Sequence, residues 1–291
     1  MEVIISLEDT CDLTQQQIKK YNLNVLPMNF MIDNNEFSTA TDNVKSSKLY
    51  EKMKLGSKTT TSQINQASYE DFFKNLLKQN KKVLHLAFSG ALSSTYSQAK
   101  KAAQAVDNQN SIYVCDTLCA CSGQGLLAIL VAKKANECSS FDELIEYTEN
   151  IKNIICHNFT VSSLKYLASG GRIKSSSALL GNMLNIKPLL RVDNLGKLVT
   201  IKKVVSRKKA IKSICQEVIK GVDNSCDLCF ISHADCYEEA LQVKTELEKN
   251  TNLKPIINNL GAIIGCHSGP GTLAIFYLGK TRWFLKKNFF N

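Results

Sequence analysis

The feature that most constrains the fold is the alternation of short apolar segments with amphipathic segments along the first half of the chain. Short apolar runs are typical of buried strands, and longer segments with apolar residues three and four apart are typical of helices. This alternation predicts a mostly parallel sheet with helices on both faces. The predicted strands are Val3–Ile5, Val25–Ile32, Val83–Phe88 and Ile112–Cys115, and the predicted helices are Leu13–Tyr21, Val44–Leu55, Tyr69–Lys78, Thr95–Val106 and Gly125–Ala135.

After a further helix predicted at Phe141–Lys152, the pattern changes to paired strands, with a hairpin signal at Asp193–Gly196. A length of 291 residues favours two separate cores. We therefore predict an α/β chain with an N-terminal α/β lobe over residues 1–154, a C-terminal α+β lobe over residues 155–291, and a ligand cleft between them. The predicted strands of the second lobe are Ile154–Val161, Ile186–Val192, Leu198–Val204, Leu228–Ser232, Pro255–Asn259 and Thr272–Leu278, and its helices are Lys208–Gly221 and Tyr237–Lys249.

The net charge of +10 raises the question of a nucleic-acid partner. The lysines are spread singly and in pairs, and no basic stripe alternates with aromatic residues as single-strand-binding surfaces require. We therefore predict no nucleic-acid partner. The densest basic segment, from Lys202 to Lys212 around Arg207, fits a solvated helix face as well as it fits a docking patch for an acidic partner.

The chain begins without the basic flank and long apolar run of a signal peptide, and no apolar run reaches membrane-spanning length. These features predict a cytoplasmic protein, in which the eleven scattered cysteines are expected to be thiols within the core. The Cys226–Cys229 pair leaves a zinc or redox site as an alternative. That pair runs directly into an apolar strand and has no second CxxC at a suitable spacing, so we predict no metal and no cofactor.

Four polar turns carry the candidate binding residues. Thr59–Gln63 is a run of hydroxyls between predicted helices, and Ser89–Tyr96 links a buried strand to a helix. Asp116–Gly125 repeats the strand–turn–helix arrangement, and Gly265–Thr272 is a glycine-rich loop around His267. Loops at the carboxyl ends of strands in open α/β sheets gather around ligands, so these turns are expected to converge. Taken singly, each also fits a structural role as a helix cap, a helix start or a structural histidine.

In this order the motifs resemble those of the DegV family of fatty-acid-binding proteins, which includes the acyl-carrying FakB subunit of bacterial fatty acid kinase. The resemblance covers essentially the whole chain. Two positions depart from the family pattern, since Ile64 stands where proline is usual and Ser94 where glycine is usual. The matching motifs are Asp9–Leu13, Thr61-Ser62-Gln63, Leu92–Tyr96, Asp116-Thr117 with Gly123–Gly125, Leu164–Ile173, Lys187–Leu190, and His267 with Gly269–Leu273.

The resemblance implies a protein that encloses one long-chain fatty acid, such as palmitate, stearate or oleate, and has no catalytic machinery of its own. The carboxylate is expected to meet the hydroxyls of Thr61-Ser62 and Ser93-Ser94 and the ring of His267, with the acyl chain in an apolar interior. The resemblance further implies a fatty acid kinase as partner, docking at Arg172 and Arg207, and transient contact with a membrane surface.

Two other functions remain open from the residues. Ser93 and His267 fit the nucleophile and base of an acyl hydrolase or acyltransferase, although Ser89–Ser93 lacks a GxSxG elbow and no orienting carboxylate is evident. The Gly265–Thr272 loop fits a phosphate site, although it lacks the lysine of the GxxxxGKS/T motif.

Overall fold

A four-stranded parallel sheet forms the first half of the molecule. The computed structural model describes residues 2–40, 46–173 and 186–282. The sheet consists of β1 (Val3–Glu8), β2 (Leu23–Leu26), β6 (Lys82–Ala87) and β7 (Ile112–Asp116), in the order β2-β1-β6-β7. Its strands alternate with helices as the apolar pattern predicts, which confirms the α/β class. These helices are α1 (Gln15–Lys20), α3 (Gln66–Leu77), α4 (Thr95–Val106), α5 (Ser122–Ala135) and α6 (Phe141–Ile151).

A small antiparallel sheet of β3 (Asn29–Ile32), β4 (Asn35–Ser38) and β5 (Thr59–Thr61) lies beside the first, in the order β4-β3-β5. The prediction of one continuous strand at Val25–Ile32 is wrong, because β2 and β3 belong to different sheets. Pro27 lies between them and has no N–H to continue a strand ladder. The threonine run predicted as a loop is strand β5, paired with β3.

Helix α2 (Ser46–Lys54) follows β4 along the chain. The predicted beginning of this helix at Val44 lies outside the described residues.

A six-stranded sheet forms the second half of the described chain, in the order β10-β9-β8-β13-β11-β12. All its pairs are antiparallel except β11 with β12. Its hairpin forms at the predicted turn, where the carboxylate of Asp193 accepts hydrogen bonds from the N–H groups of Leu195 and Lys197. The strands are β8 (Ile155–Thr160), β9 (Ile186–Val192), β10 (Leu198–Val205), β11 (Leu228–His233), β12 (Lys254–Asn259) and β13 (Leu273–Leu278), and the helices are α7 (Lys165–Ser169), α8 (Arg207–Gly221), α9 (Tyr237–Asn250) and α10 (Ala262–Ser268).

The two faces of this sheet bury two different cores, because side chains alternate along a strand. On β8, His157 and Phe159 point to one face, while Cys156 points to the other. The first face joins the large core shared with the parallel sheet, and the second packs beneath α8 and α9. Helix α5 contacts strands of both large sheets and is buried along most of its length. The layers therefore hold α5 between two sheets.

None of the described helices has both the length and the hydropathy to cross a membrane. The division into lobes at residues 154 and 155 stays a prediction.

Candidate functional site

A largely apolar cavity lies where loops of the parallel sheet face the six-stranded sheet. Its empty volume, counted out to its opening, is about 820 Å³. The apolar residues that line it come from both halves of the chain: Met28, Phe88, Leu92, Ala120, Phe159, Leu167, Val192, Leu198, Leu260, Ile263, Ile264, Ala274 and Phe276.

Strand β5 and helix α10 bring two of the predicted carboxylate-binding residues into contact at the wall of the cavity. The distance between Thr61 Oγ1 and His267 Nε2 is 2.8 Å. Alternation along β5 also directs Thr59 toward α10, where its hydroxyl donates to the Cys266 carbonyl at 3.1 Å. Two threonines of one strand therefore contact the end of α10, and of these two only Thr61 lines the cavity. The predicted loop around His267 is wrong in part, since His267 lies in the last turn of a helix.

Burial keeps the His267 ring neutral. Burial, together with the smaller effect of the positive charge of nearby Arg172, lowers the pKa of His267 to about 4. A neutral imidazole carries one N–H donor, so either Thr61 or His267 keeps a donor free for a ligand. Gly170 allows this packing, because a Cβ there would lie 2.7 Å from His267 Nδ1.

Arg172 is the only lysine or arginine among the described lining residues. Its Nη1 donates to the Gly170 carbonyl at 2.5 Å, and burial lowers its pKa. Because an arginine has five N–H donors, this bond leaves donors for an anion. The structure thus places at the cavity a residue that the family resemblance assigned to partner docking. The docking role itself stays a prediction.

Ser93 lies on another part of the lining, at the loop that follows β6. Its Oγ lies 2.6 Å from Thr95 Oγ1 and accepts a hydrogen bond from the Thr95 N–H at 3.2 Å. Thr95 also lines the cavity, and sequence analysis missed it although it ends the Ser93-Ser94-Thr95 motif. In a Ser–His hydrolase, Ser93 would bond to His267 and a carboxylate would orient the ring. The hydrogen bonds here join Ser93 to Thr95 and His267 to Thr61.

Ser62, Ser94 and Arg207 do not line this cavity. The Ser62 N–H donates to the Asn29 carbonyl, and Ser94 is an exposed residue that precedes α4. Ser94 has a φ of −76°, so this position does not require glycine. Ile64, the other departure from the family pattern, is buried in the large core.

Arg207 lies at the start of α8 and forms an ion pair with Glu239, with Nη2 and Oε2 2.6 Å apart. The neighbouring Lys208 and Lys209 are exposed.

Three further polar side chains line the cavity, but their donors point elsewhere. Thr10 donates to Gln124 at 2.6 Å, and the Cys121 thiol donates to Asp12 at 2.7 Å. The Nε2 of His157 accepts the Ala120 N–H at 3.2 Å, and burial holds the pKa of this ring well below its usual value. These groups offer a ligand few free donors, so this part of the lining is effectively apolar. Sequence analysis missed all three, although alternation along β8 marks His157 as inward-facing.

A buried network fixes the orientation of Gln124 and through it that of Thr10. Glu8 is fully buried and accepts hydrogen bonds from Tyr69, His85, Gln124 and the Phe88 N–H, at 2.6 to 3.0 Å. Burial alone would raise the pKa of Glu8, but the His85 ring and these hydrogen bonds lower it overall. Such a network is stabilising only when every member has its partners, so it defines one arrangement of the loops after β1 and β6.

The fold and the cavity together define a mixed α/β protein with a largely apolar cavity between its sheets. The chain belongs to the DegV family: the family model described as an uncharacterised protein of the DegV family matches residues 3–280. A DegV domain-containing protein of Clostridium perfringens is 37% identical over 285 residues, which cover 96% of this chain and 98% of that protein.

Solved structures share this fold. The crystal structure of DegV from Bacillus subtilis, described as a fatty acid binding protein, is 27% identical with a TM-score of 0.83, and covers 96% of this chain and 100% of that one. A Thermotoga maritima protein, described as revealing fatty acid binding function, is 25% identical with a TM-score of 0.83, and covers 96% and 99% of the two chains.

Proposed function

We propose that this protein encloses one long-chain fatty acid, with the carboxylate against Thr61, Ser93 and His267 and the acyl chain in the apolar cavity. The observation that carries the proposal is the lining itself, which is apolar except for hydroxyls, the Cys121 thiol, two neutral histidines and one arginine. The two structural relatives described as fatty-acid-binding proteins support the same ligand class. Palmitate, stearate and oleate are the expected ligands.

The energetics of such a site favour the chain as the source of affinity. Burying about 15 methylenes at roughly 0.8 kcal/mol each contributes about 12 kcal/mol before the costs of association. The head group must avoid the cost of burying an unpaired carboxylate. Free donors of Thr61 or His267, of Ser93 or Thr95, and of Arg172 meet that need. We propose Arg172 as the charge that balances the carboxylate, in addition to its expected role in docking.

The test is to denature the purified protein and to identify the released lipid by mass spectrometry. We expect about one fatty acid per chain, and the delipidated protein should take up palmitate or oleate in a calorimeter. Extracts without fatty acid, together with no uptake, would refute the proposal. Turnover of a chromogenic acyl ester, abolished by Ser93→Ala, would instead support the hydrolase alternative.

The proposed function also includes a location in the cell and a protein partner. We propose a non-catalytic cytoplasmic carrier, made of the two predicted lobes, that presents the carboxylate to a fatty acid kinase and makes only transient contact with membranes. The basic surface around Arg207, with exposed Lys208 and Lys209, suits an acidic partner because such charges steer association.

The Arg207–Glu239 ion pair supplies a matched control for this docking surface. Arg207→Gln removes the ion pair together with a positive charge, whereas Glu239→Gln removes the same ion pair together with a negative charge and keeps the charge of Arg207. We expect Arg207→Gln to slow phosphorylation of the bound fatty acid by a kinase while palmitate affinity stays unchanged. We expect Glu239→Gln not to slow phosphorylation and to leave palmitate affinity unchanged. Equal phosphorylation rates for Arg207→Gln and the wild type would show that Arg207 does not take part in docking.

A further inference from the structure

One face of helix α10 forms a wall of the cavity. The residues of this helix that line the cavity are Ile263, Ile264, His267 and Ser268. Residues three and four apart share one face of a helix, so these four form a single face. Ser268, the last residue of α10, therefore lies on the cavity wall next to His267.

The hydroxyl of Ser268 is the unusual member of this face. Ser268 is 5% exposed, and its Oγ has no hydrogen-bond partner among residues 2–40, 46–173 and 186–282. The adjacent Thr272 hydroxyl does not serve it, because that group donates to the carbonyls of Ser268 and Gly269 at 3.1 and 2.8 Å.

Four other buried polar atoms of the described chain share this lack of a partner, on Thr160, Arg191, Thr200 and Arg207. None of these four residues lines the cavity. Ser268 is thus the described residue that combines a buried, unpartnered polar atom with a place on the ligand wall. Buried polar groups in native proteins almost always have partners, so an exception on a ligand wall points to a group supplied by the ligand.

Ser268 lies next to the residue proposed to meet the carboxylate, so the ligand atoms that reach it are those close to the head group. The Thr10, Cys121 and Thr272 donors are engaged within the protein. The donors that remain free, of Thr61 or His267, of Ser93 or Thr95 and of Arg172, are those proposed for the carboxylate. We propose that Ser268 recognises a hydroxyl on the second or third carbon of the acyl chain, and that the preferred ligands are hydroxy fatty acids. This inference rests on the proposed function of the cavity.

The test compares palmitate with 2-hydroxypalmitate and 3-hydroxypalmitate by calorimetry on delipidated protein. The wild type binds at least one hydroxy acid more tightly than palmitate, and Ser268→Ala lowers this preference about tenfold by removing one buried hydrogen bond. Palmitate affinity stays the same or rises in Ser268→Ala. Thr160→Val is the matched control, because Thr160 also has a fully buried, unpartnered hydroxyl but lies outside the cavity lining. Its preference equals that of the wild type.

Three results overturn the inference. If the wild type and Ser268→Ala have the same preference for a hydroxy acid over palmitate, Ser268 does not bind the ligand hydroxyl. Equal weakening of palmitate and the hydroxy acids in Ser268→Ala makes Ser268 a carboxylate contact instead. Failure of the wild type to bind any of the three acids refutes the proposed function as well, and so is distinguishable from failure of the inference alone.

Discussion

The hydrogen bond between Thr61 and His267 allows a sharp test of the proposed head-group site. The two side chains are 206 residues apart in sequence, and their atoms lie 2.8 Å apart at the cavity wall. Thr61→Val and His267→Ala each remove one partner for the carboxylate and leave the other poorly satisfied. A lost contact of this kind costs about 1–3 kcal/mol, so each variant should bind palmitate roughly ten- to a hundredfold more weakly.

The double variant gives the more specific result. Because Thr61 and His267 hold each other in place, either single change already disrupts the pair. Side chains in direct contact show coupling of about 0.5–3 kcal/mol. Thr61→Val/His267→Ala should therefore lose about as much affinity as the weaker-binding single variant, not the sum of the two losses. Since the pKa of His267 is about 4, the same result is expected at pH 6 and pH 8.

Thr59→Val is the matched control for this cycle. Thr59 lies on the same strand and bonds to the same helix, at the Cys266 carbonyl, but does not line the cavity. Calorimetry on delipidated protein should give the wild-type dissociation constant for this variant. Hexadecanol should bind the wild type less tightly than palmitate does, and should discriminate little between the wild type and His267→Ala. Strictly additive losses, or unchanged palmitate affinity in both single variants, would refute the proposed geometry.

Three further predictions concern the charged and buried groups around the cavity. Arg172→Gln should weaken palmitate binding about tenfold with little effect on hexadecanol, because only the acid needs the positive charge; equal losses for both ligands in calorimetry would contradict this. Glu8→Gln should lower the free energy of unfolding by about 3 kcal/mol, since it disrupts a buried network that includes His85, whereas exposed Glu2→Gln should have little effect in urea unfolding. Burial raises the pKa of Asp12 to about 7. Between the usual aspartate pKa and pH 7, Asp12 is therefore protonated in the folded protein and ionised in the unfolded chain. Stability contributed by Asp12 is therefore lost as pH rises through that range, and Asp12→Asn should show a smaller drop in unfolding free energy from pH 5 to pH 8; an unchanged slope would contradict the assignment.

The local pattern of apolar residues in the sequence was enough to predict much of the fold. Apolar periodicity placed the strands of the parallel sheet and most helices near their observed positions, because burial of one face imposes a repeat on the sequence. The hairpin at Asp193–Gly196 followed from its turn residues. The motifs also pointed to Thr61, Ser93 and His267, all of which line one cavity. The assignment of their roles depended on the resemblance to a family and not on spacing alone.

The tertiary structure decided the features that depend on partners distant in sequence. Thr59–Thr61 is a strand because β3 pairs with it, and Pro27 separates two strands that enter different sheets.

Packing also decided the chemistry of the cavity. Burial and the charge of Arg172 set the protonation of His267, and hydrogen bonds to Asp12 and Gln124 engage the donors of Cys121 and Thr10 within the protein. A sequence specifies which groups are present, but local periodicity does not reveal which distant groups satisfy them. The free donors of the site, and with them its preference for a ligand, therefore emerge only when the two halves of the chain pack together.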